Sequence, residues 1–412
     1  MGRNLTRIII SLISLTLVSC QRGVFERRET LQPEWEADMR YEGYGITWHF
    51  GLQNIMKYKD VIVASTTFSP PDTTGGPDDR LCALDAKTGK ALWFFPEDVK
   101  RRYYYTFGGR GHLYKNKLVF RYYHTLPLCD NSVVCIDVET GKEKWRIDDT
   151  RQADSPVLVL DVEGFERYSY FIHNEKNIYC ADLENDTYSV VKEYTGYDVN
   201  KIEFTSDKNL MVFYSTSEKL ESGYDIKHNH VDILDKDTYE VTFTYSLETD
   251  IILPMNDRWF PIEGGIEKDG VLYLWSYCYN SAVDISSGEM LWERCDNFTY
   301  RPNVHLLYDN ILLKCCDNAT VAYDIHTGEI IYGEDNYGCW NATLHGKYVY
   351  LLNRDCVVDV IDIETGEIVD NIKSKYQRKR DKLWGSYPTV IDDKLYIRSD
   401  SYLFRYPLYP WK

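Results

Sequence analysis

The stretch Asp85-Ala86-Lys87-Thr88-Gly89-Lys90-Ala91-Leu92-Trp93 decides the fold, because it comes back. It returns as Asp137-Val138-Glu139-Thr140-Gly141-Lys142-Glu143-Lys144-Trp145 and as Asp284-Ile285-Ser286-Ser287-Gly288-Glu289-Met290-Leu291-Trp292. Asp324…Thr327-Gly328…Tyr332 is a weaker copy, and Asp362…Thr365-Gly366 keeps the turn without the aromatic. Two further copies have decayed: Asp182-Leu183-Glu184-Asn185-Asp186, and Asp235-Lys236-Asp237-Thr238-Tyr239, which ends at Phe243. Repetition at a period of roughly 40 to 50 residues marks a repeat architecture.

Each position in the repeat has a physical task. The Asp closes a strand and accepts hydrogen bonds from backbone N–H groups two and three residues on, and the Gly supplies the positive φ that a tight turn needs. Apolar alternation precedes the Asp, as in Val133-Val134-Cys135-Ile136. The Trp therefore lies in the next strand, where a large ring suits packing between neighbouring sheets.

Ahead of each Asp turn comes a second hairpin, a tight polar turn leading into an apolar strand. Glu267-Lys268-Asp269-Gly270 leads into Val271–Trp275, and His345-Gly346-Lys347 into Tyr348–Leu352. The same signal recurs near 57–60, 114–117, 166–169, 206–209, 308–310 and 392–394. Eight such hairpins stand against seven Asp turns. The eighth unit has a third strand, Tyr402–Tyr406, and the sequence then ends at Lys412 without room for a fourth. An isolated segment, Gln32-Pro33-Glu34-Trp35-Glu36, is the candidate for the missing strand. The expectation is an all-β, eight-bladed β-propeller of four-stranded antiparallel blades over residues 31–412, closed by pairing of the two ends of the chain; seven blades is the alternative. Closure removes the open edge of a linear array.

The form Ala-x-Asp-x-x-Thr-Gly-x-x-x-Trp, intact from Ala83 to Trp93, resembles the tryptophan-docking repeat of the pyrroloquinoline-quinone-type propellers. The resemblance covers nearly the whole chain after residue 30. It implies the fold more than a cofactor. That family includes quinoprotein dehydrogenases and cofactor-free lipoproteins such as the propeller scaffold of the outer-membrane β-barrel assembly machinery.

Residues 1–19 read as a lipoprotein signal peptide. Arg3 and Arg7 make a basic start, and Ile8–Leu17 is apolar but too short to span a bilayer. Leu17-Val18-Ser19-Cys20 resembles a bacterial lipobox with Cys20 as the lipidated residue, and residues 20–30 read as a tether. A lipid anchors a soluble domain without a membrane-spanning helix. Gln21 after the Cys, rather than Asp, favours the outer membrane of a bacterial envelope.

Acidic side chains number 64 against 47 basic, a net charge of −17, so a nucleic-acid partner is not expected. The basic exception is Lys373-Ser374-Lys375-Tyr376-Gln377-Arg378-Lys379-Arg380-Asp381-Lys382, a solvated loop or a contact for an acidic partner or lipid headgroups. Tyrosine occurs 35 times, partly as strand former and partly as contact residue. Tyr103, Tyr104 and Tyr105 cluster in or beside an inter-blade connection as a candidate contact surface.

Catalytic signatures are missing: there is no G-x-S-x-G, P-loop or H-E-x-x-H. Cys82, Cys135 and Cys180 fall inside apolar strands and read as buried small hydrophobes. Cys315-Cys316 must be weighed because some quinoproteins set a disulfide of adjacent cysteines against the quinone. On a strand, however, successive side chains point to opposite faces, which favours ordinary packing. His228-Asn229-His230 has a metal-ligand spacing but no assignable third ligand. No cofactor, metal or catalytic residue is expected.

In a propeller the hairpins and Asp turns share one face, while variable connections crowd the other. These are 69–79, 124–130, Thr216 to Asn229, and the basic run at 373–382. Variable loops on a rigid scaffold are where binding is usually located. The leading expectation is a lipid-anchored, non-enzymatic scaffold that binds a protein partner. A quinone-dependent dehydrogenase, a surface glycan-binding lipoprotein and a partner-neutralising lipoprotein are the rivals.

Overall fold

The computed structural model describes residues 31–39, 54–68, 78–96, 105–124, 131–149, 162–173, 176–219, 225–247, 262, 264–276, 279–295, 302–316, 319–335, 339–353, 357–373, 388–399 and 402–411. These form eight four-stranded antiparallel sheets, each built from strands consecutive in sequence except the last. First strands of neighbouring blades touch one another around the axis, as Asp198–Phe204 of blade 4 meets Gly264–Lys268 of blade 5. The expected eight-bladed ring is what forms.

The eighth blade takes its outermost strand from the start of the chain. Trp35–Asp38 pairs antiparallel with Tyr402–Pro407, Trp35 opposite Arg405 and Asp38 opposite Tyr402. A segment from each end of the described chain is thereby fixed in one sheet, and among the described residues no half-blade is left unpaired.

Each Asp turn is built as the sequence reading requires. The Asp85 carboxylate accepts from the Thr88 amide and hydroxyl, both at 2.7 Å, and from the Lys87 amide at 3.1 Å. The Thr88 hydroxyl is the main cause holding that carboxyl below its usual range, followed by the Thr88 amide. Gly89 then takes φ +71° and donates back to the Asp85 carbonyl. Just beyond the turn the strand register slips, with Leu84 opposite Ala91 but Ala83 opposite Trp93, so Leu92 is the extra residue of a β-bulge. The bulge aims the Trp sideways at the next blade.

One stretch expected to be a connection is mostly strand. Between Thr216 and Asn229 the chain forms paired backbone, Thr216 opposite His228 and Lys219 opposite Asp225, with 220–224 outside the described residues. A polar, unalternating sequence hid the pairing.

Candidate binding surfaces

The seam between blades is where the repeat's residues meet. A Cβ placed on Gly141 would lie 2.6 Å from the Trp93 ring, so the indole of blade 1 rests flat on the turn of blade 2. Its Nε1–H donates to the Val138 carbonyl at 2.9 Å. Trp292 lies on Gly328 and donates to Ile325 at 2.8 Å; Tyr332 lies on Gly366 and donates to Ile363 at 2.7 Å. Gly89 instead faces the closing strand itself: a Cβ there would lie 3.1 Å from the Glu36 carbonyl oxygen and 3.2 Å from both Ala37 Cβ and Trp35 Cε2. The closing strand thus brings Trp35 to the turn of blade 1 along with its own backbone.

Two seams lose the indole hydrogen bond to a competing cation. Arg405 donates to the Ala86 carbonyl at 3.3 Å, where the Trp35 indole would otherwise donate, and its guanidinium lies over the Trp35 ring. Lys117 donates to Leu183 and pairs with Asp186 at 2.7 Å, in the place where Trp145 would donate. Trp35 Nε1 and Trp145 Nε1 are both buried, with no hydrogen-bond partner among the described residues.

Two other seams are reversed. Blade 3 has no aromatic on its outer strand at the docking position, and blade 4 carries Tyr239 where its turn would have Gly, at φ +57°. Tyr239 packs into the core cluster shared by blades 3 and 4 and meets Tyr170, hydroxyl to hydroxyl at 3.3 Å. Blade 7 has Asp370 at the docking position. The segment after the last strand, 408–411, brings Trp411 to the matching turn position, and its indole donates to Asp370 at 2.8 Å. Where the strand lacks the ring, the facing turn supplies it. The sequence reading missed both, since the ring sits at the glycine position rather than at the Trp spacing.

Near the axis, side chains stitch blade to blade. Asn54 exchanges two 2.9 Å hydrogen bonds with the Gly111 backbone, and Glu203 accepts from the Gly265 amide at 2.9 Å. Farther round, Trp275 stacks on His305 at 3.8 Å. His305 is half-buried, and desolvation, then the Lys314 and Lys201 charges, hold its pKa well below the usual value.

Several candidate residues can be placed. Asp85, Asp137, Asp284, Asp324 and Asp362 cap their turns, and Gly89, Gly141, Gly288, Gly328 and Gly366 all have positive φ. Trp93, Trp145 and Trp292 lie in outer strands. Tyr105 begins the first strand of blade 2, whereas Tyr103, Tyr104, Arg378, Lys379, Arg380 and Cys20 lie outside the described residues. Cys315 and Cys316 are both fully buried, and Cys315 shares a side-chain hydrogen bond with Cys339 of the next blade. His230 stacks on Tyr214, and its Nδ1 lies 2.9 Å from the Ser246 hydroxyl. Among the described residues no three His, Cys, Asp or Glu side chains converge as a metal set.

One described part of the loop-rich face has a defined shape. Tyr197, in the connection from blade 3 to blade 4, packs edge-on against Tyr214 at 5.0 Å, with His230 alongside. Beneath, Asp232 accepts from Tyr194 at 2.9 Å, Tyr214 at 3.2 Å and Thr244 at 2.7 Å. Burial, then the Asp232 charge, raises the pKa of both tyrosines, which keeps the hydroxyls protonated as donors. The result is a rigid aromatic ledge.

The propeller fold has counterparts among solved structures. BamB from Moraxella catarrhalis matches with a TM-score of 0.58 at 16% identity, over 91% of this chain and 99% of that one. What is shared is the β-propeller fold. The computationally designed protein Ika8 matches with a TM-score of 0.57 at 12% identity, over 92% of this chain and 98% of its own. No protein-family model and no curated protein matches the sequence. At these identities the likeness to BamB is one of architecture, and the side chains must carry any statement about function.

Proposed function

We propose that the protein is a lipid-anchored, non-enzymatic propeller that serves as a protein-binding scaffold in the bacterial cell envelope, at the outer membrane. The observation that carries this reading is how the repeat is used. Asp caps the turn, Gly seats a ring and the ring bridges blades, so the motif's groups are committed to structure. The BamB-like architecture supports the scaffold reading, and the Leu17–Cys20 pattern supports the anchor.

The test is crosslinked pull-down from native membranes. Deleting 70–79, or neutralising Arg378, Lys379 and Arg380, should weaken partner capture with thermal stability nearly unchanged. Unchanged capture by both variants counts against a loop-face partner. Cys20→Ala should move the protein from the detergent phase to the aqueous phase in detergent partitioning. Saturable binding of pyrroloquinoline quinone with calcium, with dye-linked turnover, would instead favour the dehydrogenase.

The Tyr197–Tyr214–His230 ledge favours a second reading, recognition of a glycan by stacking on a rigid aromatic surface. A glycan array with wild type and Tyr197→Ala separates the two.

A further inference from the structure

The outer strands differ in what they show to solvent just ahead of the docking ring. In blade 2 those two positions are the exposed Glu143 and Lys144. In blade 7 they are the half-buried Ile368 and Val369, and Val369 packs into the core cluster that also takes Leu408, Tyr409 and Trp411. In blades 5 and 6 they are Met290, Leu291, Ile330 and Ile331, which are 41, 53, 50 and 46% exposed. The Trp292–Gly328 seam puts these pairs side by side, since Leu291 precedes Trp292 and Ile330 follows Gly328 by two. Arg294 and Glu329, 3.9 Å apart, span the same seam. Exposed Glu289, Glu293 and Glu329 border the patch.

Both strands are sheet edges: among the described residues, Met290–Cys295 pairs with Tyr279–Asp284 alone, and Ile330–Asp335 with Ala319–Asp324 alone. An open edge bearing contiguous aliphatic side chains is an association site unless something covers it. Strand addition supplies main-chain hydrogen bonds, and side-chain contacts give it selectivity.

We propose that the rim of blades 5 and 6 docks an extended segment of a protein partner, apolar on one side and carrying Lys or Arg beside its apolar residues. On blade 7 the turn at 408–411 shows only the side-chain part of such a contact: the Trp411 ring seats at the outer strand and its N–H group donates to the Asp370 carboxylate. On blades 5 and 6 the bordering glutamates call for a basic partner. A second copy of this chain, at net charge −17, brings like charge. This proposal rests on the scaffold reading and names its partner surface.

The experiment replaces Leu291, Ile331 or Tyr197, one at a time, with a photo-crosslinking residue in the full chain in its native envelope. Residues 291 and 331 should label one and the same segment, rich in aliphatic or aromatic residues next to Lys or Arg. A synthetic peptide of that segment should bind the purified protein, and Leu291→Glu and Ile331→Glu should each weaken it by about tenfold or more. An adduct with a second copy of the chain, or with a segment lacking basic residues, overturns the proposal. Labelling from 197 alone overturns the rim and leaves the scaffold reading standing, and no adduct from any position counts against both.

Discussion

The Trp411 indole donates to the Asp370 carboxylate at 2.8 Å, across the seam between blades 7 and 8. At three other seams the ring comes from the outer strand and rests on the next turn: Trp93 on Gly141, Trp292 on Gly328 and Tyr332 on Gly366. Here the strand offers the carboxylate, and the chain past the last strand brings the ring. We expect Trp411→Ala to cost about 2–3 kcal/mol and Asp370→Ala about 1 kcal/mol, since one removes a half-buried ring and the other a single charged acceptor. In a double-mutant cycle by chemical denaturation the pair should couple by about 1 kcal/mol. Strictly additive losses would mean that the two residues do not work together.

The same glycine-to-alanine change should have two different costs. At Gly141, φ is +70° and the new methyl would lie 2.6 Å from the Trp93 ring; at Gly288, φ is +74° but nothing lies within 4 Å. Gly288→Ala should therefore cost about 1 kcal/mol from backbone strain alone, and Gly141→Ala about 2–4 kcal/mol, because the seam must also open. Equal losses in thermal melts would show that Trp93 does not rest on that turn.

Restoring the repeat at position 239 should harm the protein. Tyr239→Gly recreates the turn glycine and relieves a positive φ, but it removes the ring that fills the seam against Tyr170. The cavity outweighs the relief, and a net loss of about 1–2 kcal/mol is expected. A stabilised variant would show that the ring is incidental to the seam.

Acid should weaken the fold through histidines held neutral. The imidazole of His112 is depressed to about 4, chiefly by burial, and that of His305 is held well below its usual value. Above the unfolded value near 6.5, both states are neutral and these groups have no effect on stability. As pH falls below it, only the unfolded chain takes up the proton, so stability drops by up to about 1.4 kcal/mol per pH unit for each histidine. For His112 the loss levels off near its folded value. Urea midpoints measured from pH 7 to pH 5 should fall, and His112→Gln should flatten part of that slope. An unchanged slope would place the acid sensitivity in other groups.

Buried thiols should be slow to react. Burial pushes the Cys135 thiol up to about 12 and that of Cys339 well up, so little thiolate is present at neutral pH. Alkylation of the native protein should spare Cys135, Cys315, Cys316 and Cys339, and label them only on unfolding. Rapid native labelling at these positions would contradict their place in the core.

Much of this architecture was legible in the sequence because turn chemistry is local. Asp85, Thr88 and Gly89 act on one another across four residues, so their spacing alone specifies the turn. Trp35 could be assigned to closure because eight hairpins needed one more strand. The reversed seams were illegible because Tyr239 and Trp411 perform the docking from the other side, at positions where the pattern calls for glycine. Lys117 displacing the Trp145 indole depends on a carbonyl in another blade, which no local window contains. The polar pairing between Thr216 and Asn229 lacked the apolar alternation that marks a strand. Met290, Leu291, Ile330 and Ile331 are spacer positions of the repeat, and they stand out as a surface only when the blades are side by side.

Ring closure underlies every seam described above. Its most direct test is hydrogen–deuterium exchange followed by mass spectrometry over 35–38 and 402–406. The account predicts that both segments are protected together and that Trp35→Ala releases them together, with Gly89 exposed in the same step. Free exchange of 35–38 in the wild-type protein, with 402–406 still protected, would contradict it: the chain would then be an open arc whose first segment plays no part in the fold.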